Sequence, residues 1–382
     1  MRVGIFTDAY VPQIGGVSTV SQLIKNELNR RGHEAYVITT TDNAAEEEDN
    51  VIRYPSIPFV SEKRIGLNIS PELKREIESL HFDLVHTQTE YTMGKVGKDL
   101  AEKQGIPFIH TFHTLYDIWM RGQLGENFLS ESVITMMNWL LKQHLKGSKA
   151  IIAPSQKTVD FLQNYDLDIP IHILPSGIDV EAFKRAGEDL AKQEEIRQAL
   201  GIPQDAFVAL YVGRISEEKK IDTVLSYLSP MVREQADLYF VAVGSGPRLE
   251  DYRDQVQSWG LDQQIKFIGP VPVDQVKSYY AIGDAFACAS QSETQGLTYI
   301  EAMATGLPLL VKPDPCLEGV LLEGQNGLAF NNRAEFMTGL GQLKDQQDLR
   351  RRMRLAALEK SQDFSVERFI DKLIDIYESI LT

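Results

Sequence analysis

Two carboxylates, Glu293 and Glu301, stand eight positions apart in the stretch Ser292–Ala304, which reads SETQGLTYIEAMA. Between them lies Thr294-Gln295-Gly296, and from Leu297 the residues Leu297, Ile300, Glu301 and Ala304 recur at helical spacing. Gly296 therefore reads as the bend into a helix N-terminus. Free backbone N–H groups and the positive end of the helix dipole make such a terminus a seat for phosphate. A carboxylate does not bind phosphate, but it accepts hydrogen bonds from sugar hydroxyls. Phosphate beside hydroxyls is the outline of a nucleotide-sugar. On this stretch alone the competing reading is a buried, capped strand-to-helix turn that binds nothing.

The elements that must position these groups are short apolar strands alternating with helical patterns. In the first half they are Val3–Thr7, Ala35–Thr39, Leu84–His86, Phe108–Thr111, Ala150–Ala153 and His172–Leu174. After Gly177 the series restarts with Val208–Val212, Tyr239–Val243, Ile265–Ile268, Ala285–Ala289 and Leu309–Val311. Strands alternating with helices predict parallel sheets covered on both faces. Two series of domain length predict an α/β protein of two doubly wound, Rossmann-like domains; a closed eight-fold barrel has fewer strands than this. The expected division is 1–175, 176–363 and a closing helix in 364–382 that packs back on the first domain. PSGID at Pro175–Asp179 is the seam, and Phe369, Leu373, Ile376 and Ile380 carry the helical spacing of the last segment.

Ligands in open α/β sheets sit outside the carboxyl ends of strands, so the polar residues that follow strands are the candidates. Gly213-Arg214 follows Val208–Val212 and leads through SEEK to Lys219. Arg214 and Lys219, five residues apart across a turn, can reach one diphosphate, Arg214 by a bidentate fork. Salt bridging of Lys219 to Glu217 or Glu218 is the competing reading, and Lys220 reads as solvated. Gly244-Ser245-Gly246 after Tyr239–Val243 is a weaker signal, because glycine turns after strands are common. In the first half Gly15-Gly16 precedes a helix starting near Val17 and lets a ligand approach the backbone closely. It is not the dinucleotide fingerprint, whose glycines lie nearer the strand. His110 ends a strand and His113 lies just beyond it. A zinc reading of this pair fails for want of further ligands at the required spacing, and no Gly-x-Ser-x-Gly elbow is present.

Composition narrows the partners. The 382 residues, 43% hydrophobic and 24% charged, are those of a globular protein with ample core. A net charge of −15, of which −5 falls in residues 1–175 and −10 in the remainder, excludes nucleic acid as the expected partner. Two cysteines make no disulfide framework, which points to a reducing, cytoplasmic location. MRVGIFTDAY reads as a first strand rather than a signal peptide, and no apolar run approaches a membrane span.

GGV near the start, FHTLYD, PSGID, GRISEEK and above all Glu293-x7-Glu301 resemble the family-four retaining glycosyltransferases of the GT-B fold, in order over nearly the whole chain. Within that family PQIGGVST, PSIPF, VHTQTEY and HTFHTLYD resemble the bacterial glucosyltransferases that make monoglucosyldiacylglycerol for glycolipid and lipoteichoic acid anchors. The resemblance implies two domains facing a central cleft and UDP-glucose as donor. Arg214 and Lys219 would bind the diphosphate, Glu301 the ribose hydroxyls and Glu293 the transferred sugar. Backbone N–H groups of Gln295, Gly296 and Leu297 would lie near sugar and phosphate. Gly16 would leave room for the diphosphate, and His113 would contact the sugar near the reacting carbon. Many relatives carry an aromatic residue where this chain has Gln295. Retention follows from family membership. Same-face attack, with the leaving phosphate helping to take the acceptor proton, is preferred to a double displacement through Glu293. No metal or other cofactor is expected, since the two cations do that work and no Asp-x-Asp element is present.

The acceptor rests on Ser132–Lys149, where Val133, Ile134, Met136, Met137, Trp139, Leu140, Leu141 and Leu145 stand beside Lys142, Lys146 and Lys149. This is either an interfacial helix dipping into an anionic membrane surface or a core helix with a solvated lysine face. Trp119-Met120-Arg121 is a further part of an apolar entrance on the first reading. On the first reading, the resemblance implies diacylglycerol as acceptor on the inner membrane face. A soluble-acceptor enzyme of the same family, a non-catalytic nucleotide-sugar binder and a UDP-sugar epimerase of related fold are the alternatives.

Overall fold

The computed structural model describes residues 1–13, 15–42, 44–58, 64–66, 70–115 and 131–382. The chain divides into two compact units, Met1–Gly177 with Val366–Thr382, and Ile178–Ser365. Each is built on one parallel sheet.

The first unit carries β1 (Arg2–Phe6), β2 (Glu34–Thr40), β3 (Val51–Tyr54), β4 (Ser56–Pro58), β5 (Arg64–Gly66), β6 (Leu84–Thr87), β7 (Phe108–Thr111), β8 (Ala150–Ala153) and β9 (Ile171–Ile173). The sheet order is β3-β2-β1-β6-β7-β8-β9, parallel throughout, and β4 and β5 form a separate antiparallel pair. Strands β6, β7 and β8 are buried at every position, as a sheet covered on both faces requires. Strand order reverses between β1 and β6, which opens a crevice at their carboxyl ends.

The second unit carries β10 (Phe207–Val212), β11 (Leu238–Val243), β12 (Ile265–Gly269), β13 (Ala285–Cys288), β14 (Leu309–Val311) and β15 (Gly327–Ala329), in the order β12-β11-β10-β13-β14-β15. Here the reversal falls between β10 and β13, which pair through Ala209↔Ala285 and Leu210↔Phe286. Its core is one continuous apolar cluster, and both cysteines, Cys288 and Cys316, are buried and unbridged.

Two edge strands, β3 and β15, are not foreshadowed by apolar periodicity. Val51–Tyr54 is short and follows an acidic loop, and Gly327–Ala329 has little intrinsic strand preference. Both exist because a neighbouring strand offers a free row of backbone groups.

The helix Val366–Leu381 belongs to the first unit. It buries Phe369, Ile370, Leu373 and Tyr377. The Tyr377 hydroxyl lies 2.6 Å from His86 Nδ1, with the two rings edge to face, and Asp371 pairs with Arg31. Leu373 is completely buried. Leu373→Ala is expected to cost about 2–5 kcal/mol, read as a lower urea midpoint for the unfolding of the full chain.

Candidate active site

The charged candidates of the second unit stand on the segments that leave β10 and β13 at their carboxyl ends. After β10 the chain turns through Gly213, Arg214 and Ser216 into the short 3-10 helix Glu217–Lys219. Arg214 is exposed, and its carbonyl accepts from the Tyr211 hydroxyl at 2.9 Å. Lys219 Nζ donates to Glu293 Oε1 at 2.7 Å, with the two side chains only 17% and 18% exposed. Neither Glu217 nor Glu218 takes this lysine; Glu218 Oε1 accepts instead from the Ser216 hydroxyl at 2.6 Å. Burial works against the Lys219 charge, but the Glu293 carboxylate outweighs it and raises the ammonium above its ordinary value. An ammonium has three donors, so the bond to Glu293 leaves Lys219 able to hold a phosphate oxygen as well. The buried Ser290 hydroxyl also donates to Glu293 Oε1, at 2.9 Å. One oxygen of Glu293 is thereby anchored twice, and the carboxylate is oriented before any ligand arrives.

The loop continues into the helix Leu297–Ala304. Gly296 stands at φ +74°, and a Cβ there would lie 2.4 Å from the Tyr299 ring, so only glycine fits both the left-handed backbone and the space. No side chain caps this helix and no acidic residue occupies its first turn. Tyr299 N donates back to the Gly296 carbonyl at 3.0 Å, while the N–H of Leu297, at the first position, has no partner one turn back within the helix and suits an anion. Gln295, beside it, is buried. Glu301 follows one turn later and accepts from the Tyr280 hydroxyl through Oε2 at 2.6 Å. Burial raises the Glu301 carboxyl above the usual carboxylate range, and the bond from Tyr280 opposes that rise.

Arg214, Lys219, Glu293, Gln295, Gly296, Leu297 and Glu301 thus all stand on the two loops, or the helix, at the carboxyl ends of β10 and β13. Sequence reading missed Ser290 and Tyr280. Ser290 had a signal, a hydroxyl three residues before Glu293. Tyr280 had none, because its partner lies 21 residues away across a strand and a loop.

The Gly244-Ser245-Gly246 turn has a definite part in this arrangement. A Cβ on Gly244 would lie 1.9 Å from the Gly213 carbonyl oxygen, and one on Gly246 2.2 Å from that of Ile215. Ile215 N donates to the Ser245 carbonyl at 2.8 Å. The two glycines let this turn press directly against the loop that bears Arg214 and Lys219.

The remaining site candidates belong to the first unit. Gly16 opens the helix Gly16–Arg30 after β1, is exposed, and neither it nor its neighbours supply a side-chain cap or an acid in the first turn. His113 lies just beyond β7, with Nε2 2.7 Å from Gln88 Oε1. Because an amide oxygen only accepts, Nε2 carries the hydrogen; the Gln88 amide nitrogen faces His86 Nε2 at 2.9 Å, consistent with that orientation. Burial pushes the His113 pKa down to about 4, so the ring is neutral at pH 7. His110 bonds Thr87 through Nδ1 at 2.8 Å and Glu90 through Nε2 at 3.1 Å. Among the described residues no group of three or more His, Cys, Asp or Glu is placed to hold a metal ion. Trp119-Met120-Arg121 lies outside the described residues.

The helix Glu131–Leu145 is buried on one side and exposed on another. Leu141, His144 and Leu145 are buried, whereas Met136, Trp139 and Leu140 are 54%, 59% and 47% exposed at i, i+3 and i+4. Lys98 Nζ caps the carbonyls of Gln143, His144 and Lys146 at its end. No helix among the described residues is long and apolar enough to cross a membrane.

The profile of Glycosyltransferase Family 4 matches residues 14–182, and that of glycosyl transferases group 1 matches residues 192–360. The alpha-monoglucosyldiacylglycerol synthase of Streptococcus pneumoniae is 32% identical over 337 residues, covering 86% of this chain and 75% of that protein. The protein of the same name from Acholeplasma laidlawii is 31% identical over 376 residues, covering 97% and 93%. A D-inositol 3-phosphate glycosyltransferase of Thermomonospora curvata is 25% identical, covering 78% and 71%. In fold the chain matches sucrose-phosphate synthase from Thermosynechococcus elongatus with a TM-score of 0.79 at 20% identity, over 100% of this chain and 99% of that one. It matches Anabaena HepE in complex with UDP-glucose with a TM-score of 0.77 at 18% identity, over 99% and 100%.

Two expectations follow from the geometry. Gly246→Ala should drive the turn against Ile215 and lower the melting temperature, whereas Gly341→Ala, with open space around it, should not; thermal unfolding of the two variants separates them. His113 should titrate with a midpoint at about 4 in an imidazole NMR series. Its folded pKa lies below the unfolded value of 6.5, so the stability tied to its neutral form is present above pH 6.5 and is lost as pH falls toward 4.

Proposed function

This chain belongs to the GT-B glycosyltransferases, with Glycosyltransferase Family 4 in its first half and glycosyl transferases group 1 in its second, and from that premise we propose that it moves glucose from UDP-glucose to 1,2-diacylglycerol at a membrane surface, with retention of configuration. The observation that carries the donor half is the Lys219–Glu293 pair at the strand-order reversal, with Arg214 on the same loop and Glu301 one helical turn beyond.

The chemistry follows from these groups. Breaking the sugar–phosphate bond leaves charge on the diphosphate, and catalysis comes chiefly from fixed positive groups aimed at it. The Arg214 fork and the Lys219 ammonium take the phosphate oxygens, helped by the helix N–H groups after Gly296. Glu301 accepts from the ribose hydroxyls. Glu293 holds the sugar hydroxyls; a carboxylate with one oxygen anchored by an ammonium and a serine is a good acceptor and a weakened nucleophile. That favours attack on the same face as the departing phosphate, which takes the acceptor proton, over a double displacement through Glu293. Neutral His113 and exposed Gly16 are the first unit's candidates, the imidazole as a hydrogen-bonding group that adds no cation and the glycine as a point of close backbone approach. No metal is assigned a role.

The acceptor half rests on the Met136, Trp139 and Leu140 face, flanked by Lys142 and the exposed Lys146. Exposed apolar side chains beside lysines suit the boundary of an anionic bilayer on the cytoplasmic side. The inositol-phosphate relative supports a second reading, transfer to a soluble polyol or sugar phosphate. The deciding measurement is a donor-by-acceptor screen with radiolabelled sugar nucleotides, with and without vesicles containing diacylglycerol and anionic lipid. Glucose should enter the lipid phase from UDP-glucose only, and Glu293→Gln and Glu301→Gln should each lose turnover. Trp139→Ser with Leu140→Ser should weaken vesicle binding by about tenfold or more, since each side chain loses about 1.5–3 kcal/mol of burial, while UDP affinity stays unchanged. Transfer to soluble acceptors alone would sink the lipid reading.

A further inference from the structure

Tyr280 ends the helix Val273–Tyr280 and is completely buried. Its ring is held by aromatic neighbours, Phe183 edge-on at 5.7 Å and Phe286 tilted at 6.2 Å. Phe286 lies on β13, the strand that feeds the Glu293 loop, and also packs edge-on against Tyr299 of the helix Leu297–Ala304 at 5.8 Å. The ring therefore sits in a rigid frame shared by the strand and helix that define the site. A phenylalanine would fill the same space. The hydroxyl is the part that packing does not explain, and it points to Glu301 Oε2 at 2.6 Å, the length of a strong bond from a hydroxyl to a carboxylate.

We propose that Tyr280 is a positioning residue for nucleoside recognition, whose hydroxyl fixes the Glu301 carboxylate so that it presents an oxygen to the ribose hydroxyls. The inference rests on Glu301 as the ribose ligand. A carboxylate on a flexible side chain loses rotamer freedom when it binds a diol, and the phenol removes that freedom beforehand. The same bond favours the ionised form against burial, which otherwise raises Glu301. An ionised carboxylate accepts from two hydroxyls, whereas a protonated one accepts less well and must donate. Tyr280 touches neither sugar nor phosphate in this scheme; its effect reaches the donor only through Glu301.

The test is calorimetric binding of UDP and of 2′,3′-dideoxy-UDP to the full chain, to Tyr280→Phe and to Glu301→Gln, with Phe183→Leu as a packing control. The wild-type chain should prefer UDP. Tyr280→Phe should lose roughly tenfold in UDP affinity, the scale of one hydrogen bond to a charged group, with dideoxy-UDP affinity unchanged. The KM for the sugar nucleotide should rise with it and kcat should hold. Phe183→Leu should lower the melting temperature and leave the preference for UDP intact. A Tyr280→Phe chain that binds UDP as the wild type does, or that loses both nucleotides equally, overturns the proposal while Glu301→Gln still abolishes the preference. A Glu301→Gln chain that keeps the preference overturns the ribose reading, and the role of Tyr280 falls with it.

Discussion

The bond between Lys219 and Glu293 ties together two loops that are 74 residues apart in the chain and adjacent in space. It forms where β10 and β13 meet, at the point where strand order reverses. Two nearly buried charges at this distance satisfy one another at the expense of hydration, and either one alone would be strongly unfavourable in that position. The pair therefore keeps both side chains aimed, ready for a ligand that brings its own charge and hydroxyls.

Close backbone approach makes the pair possible. Gly244 and Gly246 let one strand-end turn lie against the Arg214–Lys219 loop, and Gly296 lets the Glu293 loop bend into a helix in the space beside Tyr299. Each glycine stands where a side chain would collide with backbone or with a buried ring. The polar groups around the pair follow the same economy. Ser290 anchors Glu293, Tyr280 holds Glu301, and Gln88 sets the tautomer of His113. Buried hydroxyls and amides thereby orient the ionisable groups expected to meet the ligand.

Much of this was legible in the chain itself. Alternating apolar runs and helical spacing identify the strands that carry the sites, since a strand buried on both faces is largely apolar, with polar residues such as His86 and His110 toward the carboxyl ends of β6 and β7. Lone short strands such as β3 and β15 escape that rule because they owe their existence to an edge partner. Arg214, Lys219 and Glu293 are visible as candidates because charged residues in the loops that follow strands suit ligand binding, and Glu301 because it lies one turn inside the helix that follows such a loop. Tyr280 is invisible, because a tyrosine at the end of an amphipathic helix looks like any other core aromatic until its hydroxyl is seen against Glu301.

The order of elements, the candidate ligands and the phosphate-suited helix start are local properties, set by periodicity, residue type and a glycine at a bend, and the sequence by itself determined them. Which charge partners which is a matter of three-dimensional proximity. Lys219 has Glu217 and Glu218 as chain neighbours and yet bonds Glu293, and the helix Glu131–Leu145 buries Leu141 and Leu145 while leaving Trp139 and Leu140 outside. Only the tertiary structure decided these, because hydrogen bonds and burial are selected by what the packed sheets bring within a few ångströms, and local spacing carries no record of that.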